Sequence, residues 1–350
     1  MDLGLVWQDF GLDKLEEGMR TLFPQSKLSL EKVLGQIMEG DVFGALGALF
    51  RDGISDIWGQ LAGMRNVLIF LLILGLVSSL MTHFVEVFDM HQVADMGFYF
   101  MYLLFTAVLL QSFSQVVSTA QGTMENISLF IKLMVPAYLL SVGISTGLAT
   151  VNASCQLMMI VIYGVETLLE NGVIPVIYSI CMLAVVNGIW AEEKLTLLIE
   201  LLEKCVGWVL KGAVGVITGL SVFQALITPV VDTVKTSALQ SFLSAIPGVG
   251  NAADGVVELV IGSAAVIRNS IGVVLLVLFL LMCAAPLVKI ALIAGVLKCA
   301  AAFMGIVSDS RITSCANRAG NAALLVLRTT GTAMLLFLIS IAVITVSGRH

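Results

Sequence analysis

Three lysines lie inside strongly apolar stretches of the sequence, where a charged group is costly unless it reaches water or an acidic partner. Lys132, Lys211 and Lys298 fall within candidate membrane helices, and Lys289 lies at a predicted helix junction. A lysine near the centre of a membrane span costs about 2.5–3.5 kcal/mol on an insertion scale. Two interpretations remain open. Either the lysine stems carry the charge to the membrane interface, or the ammonium groups line an aqueous path or pair with an internal carboxylate such as Glu166.

Other residues offer little support for catalysis. His83 and His91 are eight positions apart among acidic residues, a spacing that fits no familiar metal-ligand pattern, so we interpret them as part of a solvated acidic loop. The sequence contains no Walker A motif, GxGxxG, GxSxG or HExxH, and no paired carboxylates suited to acid-base work. We therefore expect a non-enzymatic protein that has no cofactor and no metal centre.

The composition indicates a membrane protein. Mean hydropathy is +1.03 and charged residues make up 12% of the chain. Several apolar runs reach the roughly 18–20 residues needed to cross about 30 Å of hydrocarbon. Residues 1–65 contain six Lys or Arg against ten Asp or Glu, which argues against a nucleic-acid surface. The six cysteines are scattered, mostly in apolar runs, and we interpret them as small packing residues. Membrane lipid is the expected environment.

The predicted fold is all-α, a polytopic helical integral membrane protein with about eight transmembrane helices and short amphipathic helices. Residues 1–65 form an N-terminal amphipathic segment, which lies either at the membrane interface or on the bundle. Regions 66–228 and 271–350 hold the spans, separated by region 229–270. The candidate spans are 66–84, 97–117, 127–149, 172–190, 206–228, 271–289, 290–307 and 328–346. Residues 151–169 are either a ninth span or a half-helix buried in protein.

The distribution of basic residues predicts the topology. Arg311, Arg318 and Arg328 form the clearest basic cluster between or beside the spans. The positive-inside rule then places a loop at 308–327 in the cytoplasm and His350 on the other side.

Two connecting segments look amphipathic. Residues 192–205 carry charges on one face and leucines on another, which predicts a helix along the membrane surface. Region 229–270 predicts two helices hinged at Pro247, Gly248 and Gly250, and Asp254 and Glu258 lie on one face of the second helix. Those two carboxylates are further possible partners for the membrane lysines. The pair is either a re-entrant gate or two interfacial helices.

Pro136, Pro175 and Pro286 lie within predicted spans, where proline kinks a helix.

Several short strings together resemble one protein family across residues 60–346. The strings that carry the resemblance are Lys132-x-x-x-Pro136, Pro175, Asn187, Gln224 with Pro229 and Asp232, Ile246-Pro247-Gly248-Val249-Gly250 with Asp254, Ile267-Arg268-Asn269-Ser270-Ile271-Gly272 and Pro286-Leu287-Val288-Lys289-Ile290. In this order they resemble the stage III sporulation protein AE family.

The resemblance implies a multi-pass protein of the mother-cell membrane that faces the forespore. It also implies an oligomeric channel-like or secretion-like complex with other stage III A proteins and the forespore-side stage II protein Q. A secondary transporter of a small solute is the alternative, although the chain shows no convincing internal repeat. A purely structural scaffold is a third possibility. The candidate gate, pore or packing residues are Lys132, Pro136, Lys211, Pro247, Gly248, Gly250, Asp254, Glu258, Arg268 and Lys289.

Overall fold

The computed structural model describes helices along most of the apolar part of the chain. It describes residues 66, 69–77, 80, 91–146, 160–189, 194–243, 276, 279–280, 282–306 and 308–347, and no strand occurs among them. Side chains are described for these residues except 91–95, 133–146, 221–243 and 340–347. The helices are α1 (69–77), α2 (His91–Thr146), α3 (Ile160–Ile189), α4 (Thr196–Leu243), α5 (Met282–Ile306) and α6 (Ser310–Ser347).

The described part of the chain confirms the all-α class and contains four helices that are long and apolar enough to cross a membrane. These candidate spans are Met96–Lys132, Ile160–Ile189, Met282–Ile306 and Ser310–Ile339. The protein is therefore treated as a helical membrane protein. The total of about eight spans stays a prediction, because several of the predicted spans lie wholly or partly outside the described residues.

Several predicted helix boundaries are wrong, because helices continue where the sequence suggested breaks. Predicted span 97–117 and residues 127–146 of predicted span 127–149 both lie on α2, and the polar stretch between them is helical. The predicted surface helix at 192–205 is the beginning of α4, which then runs through Pro229 to Leu243. The predicted loop at 308–327 is mostly the first half of α6. Polarity alone does not end a helix when good helix formers occupy the sequence.

Lys289 shows the same effect. The prediction that it lies at a helix junction is wrong, because it lies inside α5 with a half-buried side chain. Lysine is a good helix former. Pro286, three residues before Lys289, leaves one backbone carbonyl without its helical hydrogen bond, and neighbouring helices or water can satisfy that carbonyl.

Helix α6 lies at the centre of the described bundle and packs against α2, α3 and α4. Its buried face is rich in small side chains, which allow close helix contacts. Ala316, Ala319, Ala322 and Ala323 are all fully buried. Small residues at this spacing explain why a segment with two arginines forms a central helix rather than a loop.

Aromatic rings fill the other end of the α6 contact. A buried cluster consists of Phe130 of α2, Phe337 of α6 and Phe279, which lies before the beginning of α5. The Phe279 and Phe337 ring centroids are 4.3 Å apart, and Phe130 lies 5.5 Å from Phe279 and 5.8 Å from Phe337. These separations are typical of favourable aromatic pairs. The cluster fixes α2 against α6.

A single π-helical turn, Leu169–Val173, interrupts α3 just before Pro175. Proline has no N–H, and its ring clashes with the carbonyl four residues earlier, here that of Asn171. A wider turn at this point accommodates the ring without ending the helix. The predicted span 172–190 therefore begins earlier, at Ile160, and takes in the end of the 151–169 segment.

Candidate functional site

The amino group of Lys298 forms the centre of a polar cluster between α5 and α6. It donates hydrogen bonds to the Oδ1 atoms of Asn317, at 2.6 Å, and Asn321. The two asparagines are four residues apart and therefore lie on the same face of α6. Hydrogen bonds from a charged donor are about twice as strong as neutral ones. The cluster thus holds a cation within two helices that are otherwise apolar.

Gly320 lets the lysine stem cross α6. A Cβ atom added at this position would lie 3.1 Å from both Cγ and Cδ of Lys298. This is tighter than ordinary van der Waals contact, so the lysine would have to move. The position of the ammonium group therefore depends on a glycine between the two asparagines.

Polar contacts continue from α6 to the beginning of α4 and the end of α3. The Arg318 Nη2 atom donates to Thr196 Oγ1 at 3.3 Å, and Asn187 Nδ2 donates to the same oxygen at 3.2 Å. The backbone N–H of Leu195 donates to Asn187 Oδ1 at 2.8 Å. Asn187 is 1% exposed, and its amide group satisfies polar groups where α4 begins. The connection between α3 and α4 is therefore tied to α6.

One carboxylate faces the two cations of this region. Burial is the main cause that raises the pKa of Glu203 on α4, and the charge of Glu200 adds to it. Arg318 and Lys298 act in the opposite direction and favour the ionised form. The cluster therefore couples charges on α4, α5 and α6.

An open groove runs beside Lys298 between α5 and α6. Its volume is about 670 Å³. Small residues of α5 form one wall, and hydroxyl groups of the connection and of α6 form the other. The lining residues are Lys298, Ala301, Ala302, Gly305, Ser308, Ser310, Thr313, Ser314 and Asn317. Its polar lining consists of one lysine, four hydroxyl-bearing residues and one asparagine.

The four predicted candidate residues that the structure describes lie on three different helices. The Lys132 side chain is exposed at the end of its candidate span, with its Nζ atom 5.9 Å from the Tyr163 ring centroid. Lys211 is exposed on α4, and Pro136 lies within α2. The remaining candidates except Lys289 lie outside the described residues, namely Pro247, Gly248, Gly250, Asp254, Glu258 and Arg268.

Sequence reasoning missed Asn317, Asn321 and Thr196. The first two could have been found from the Asn-x-x-x-Asn spacing in an alanine-rich segment, because residues four apart lie on the same face of a helix and can contact one partner. The incorrect loop at 308–327 hid that spacing. In the described part of the chain, His, Cys, Asp and Glu form no group of three that could hold a metal.

Comparison with known proteins supplies the family. The family model described as stage III sporulation protein AE matches residues 28–348. The chain belongs to this family. The stage III sporulation protein AE of Bacillus subtilis (strain 168) is 21% identical over 304 residues, which cover 86% of this chain and 74% of that protein. No solved structure matches the chain. Stage III sporulation protein AE membership confirms the resemblance and supports a role in sporulation.

Proposed function

We propose that this chain is a non-enzymatic subunit of the channel-like or secretion-like complex that joins mother cell and forespore. It resides in the mother-cell membrane and assembles with other stage III A proteins and the forespore-side stage II protein Q. Family membership over residues 28–348 supports this proposal. The polar cluster around Lys298 offers a residue with which to test it.

The polar groove beside Lys298 suits a subunit that packs against a neighbour or lines an aqueous path. Lipid tails offer no hydrogen bonds, so exposed polar groups at membrane depth are covered by protein or lie against water. A groove lined by an ammonium group and several hydroxyls, in a helix pair of this apolar character, requires one of these two environments. A neighbouring subunit, a water-filled conduit or the aqueous interface of the membrane can supply it.

The decisive experiment replaces the native copy in the sporulating host with Lys298→Met. Methionine keeps the length and apolar stem of the side chain but removes the charge. We expect loss of gene expression in the engulfed forespore at normal abundance of the protein. Lys204→Met is the matched control, because Lys204 is exposed on α4 and lies outside the groove. That variant should sporulate normally.

Two further measurements separate the parts of the proposal. Purification of the tagged chain from sporulating cells should recover other stage III A proteins. Failure to recover them, together with a sporulation defect in the deletion strain, contradicts the complex but keeps the sporulation role. Normal forespore gene expression in the deletion strain contradicts the proposed function as a whole.

A further inference from the structure

Glu166 is an acidic side chain buried among apolar residues within a candidate membrane span. It lies on α3 and is 6% exposed. Its Oε1 atom has no hydrogen-bond partner among the described residues. Placing an unpartnered carboxylate in an apolar environment costs several kcal/mol or more. Ionisable groups kept inside a membrane bundle typically mark ion or proton paths.

A small cavity adjoins this carboxyl group. Its volume is about 10 Å³, which is near the lower limit for one water molecule. Apart from Glu166, its lining is apolar and comes from α2, α3, α4 and α6. The apolar lining residues are Ile127, Ile131, Ile162, Val165, Leu169, Ile217, Ala333, Leu336 and Phe337. A carboxyl group beside so small a cavity can exchange a proton with water, but it has no room for a large ligand.

Two charged side chains act on the carboxyl group of Glu166. Among the described residues, Lys132 of α2 and Glu170 of α3 interact electrostatically with Glu166. Tyr163, one turn earlier on α3, has its ring 5.9 Å from Lys132 Nζ. Helices α4 and α6 contribute only apolar side chains to the lining. Lys132 and Tyr163 are both exposed, so the positive charge that acts on Glu166 is itself in contact with water.

The backbone next to Glu166 is irregular. The π-helical turn Leu169–Val173 begins three residues later, and π turns inside helices are frequent at functional positions. This turn lies between the carboxyl group and Pro175. The position of Glu166 is therefore set by a feature that a regular helix lacks.

We propose that Glu166 is a proton-binding site inside the membrane bundle, which exchanges protons with water on the side of Lys132 and Tyr163. The ligand is a proton, because the cavity beside the carboxyl group is too small for a larger species. The inference does not depend on the sporulation complex, since it concerns one carboxyl group and its surroundings.

The test is modification by dicyclohexylcarbodiimide, an apolar reagent that partitions into membranes. The protonated carboxyl group adds across a C=N bond of the reagent: its oxygen bonds to the carbon, and its proton moves to the nitrogen. The adduct then rearranges to a stable N-acylurea. We expect peptide mass spectrometry of the full-length protein in detergent to locate the adduct on Glu166. Its yield should rise as pH falls from about 9 to about 5, because burial in an apolar environment favours the neutral form of a carboxyl group.

Variants make the test specific. Glu166→Gln should abolish the adduct, whereas Glu170→Gln should retain it. Lys132→Met should increase the rate of modification at a fixed pH, because loss of a nearby positive charge favours the neutral carboxyl group. Lys211→Met, an exposed lysine on α4, should leave that rate unchanged.

Three results would overturn the inference. Modification of Glu166 only after denaturation would show a static buried acid. Protection by sodium ions at constant pH would show a cation site instead of a proton site. Modification that does not vary with pH in the native protein would show that no proton exchanges there.

Discussion

Replacing Gly320 with alanine should displace Lys298 and separate its amino group from the asparagines of α6. The added Cβ would lie 3.1 Å from Cγ and Cδ of the lysine, whose tip is held by Asn317 and Asn321. A free lysine stem would simply rotate away. Because this one is fixed at both ends, relief of the overlap stretches or breaks a hydrogen bond.

The magnitude follows from two opposing effects. Alanine in place of glycine inside a helix stabilises it by about 0.8–1.0 kcal/mol. Forcing extra volume into a fitted contact costs about 1–3 kcal/mol. Gly331→Ala on the same helix should show the first effect alone, because a Cβ there meets nothing within 4 Å. The two alanine variants should therefore differ in unfolding free energy by about 1–3 kcal/mol, with Gly320→Ala the less stable.

A double-mutant cycle with Lys298→Ala measures the coupling. We would follow unfolding of the purified full-length protein in mixed detergent micelles. Once the lysine stem is absent, Gly320→Ala should stabilise the protein as Gly331→Ala does, which gives a coupling energy of about 1–3 kcal/mol. Equal effects of Gly320→Ala with and without the lysine would refute the proposed contact.

Three further predictions concern the rest of the bundle. Gly188→Ala should strongly destabilise the protein, because its Cβ would overlap the Tyr102 hydroxyl, which donates to the Val185 carbonyl at 2.6 Å. Gly164→Ala on the same helix has open space and should be tolerated in the same unfolding assay. Burial raises the pKa of Glu203, so its contribution to stability is complete below the unfolded value of 4.5 and is lost as pH rises through the folded value. Thermal unfolding should therefore show that Glu203→Gln loses less stability with rising pH than the parent protein or the control Glu200→Gln. Equal changes of unfolding temperature with pH in all three proteins would contradict this prediction. In a cysteine-free background, Lys194→Cys and Ser310→Cys should share one response to impermeant thiol reagents in intact cells, and Ser347→Cys should show the opposite response. The reason is that the hydrogen bond between Arg318 and Thr196 holds the beginning of α4 beside the first half of α6. Opposite responses of Lys194→Cys and Ser310→Cys would contradict the prediction that both positions lie on one side of the membrane.

The sequence predicted the fold class correctly because length and apolarity of a membrane helix are local properties. It failed at helix ends, because a polar stretch such as that around Glu125 and Asn126 resembles a loop in composition. Both side chains are exposed on a helix that simply continues. The cost of ending a helix depends on what its terminal groups would contact, and that information is not local.

The candidate site was predicted less well for a related reason. Lys298 was recognised as an unusual charge in an apolar stretch, but its partners come from a segment interpreted as a loop. The helical spacing of Asn317 and Asn321 becomes informative only when α6 is known to begin at Ser310. Thr196 and Arg318 are 122 positions apart, and a single sequence contains no direct signal for such a contact.

The continuity of the helices changes the count of membrane crossings. An unbroken helix crosses one bilayer at most once, so predicted spans 97–117 and 127–149, which α2 joins as far as Thr146, count as a single crossing. The hydrogen bond between Arg318 and Thr196 joins the beginning of α4 to the first half of α6, so these two segments lie at the same end of the bundle. The polar cluster around Lys298 lies at that end too, because its partners Asn317 and Asn321 flank Arg318 on α6. We expect the positive-inside rule to place this end of the bundle on the cytoplasmic side.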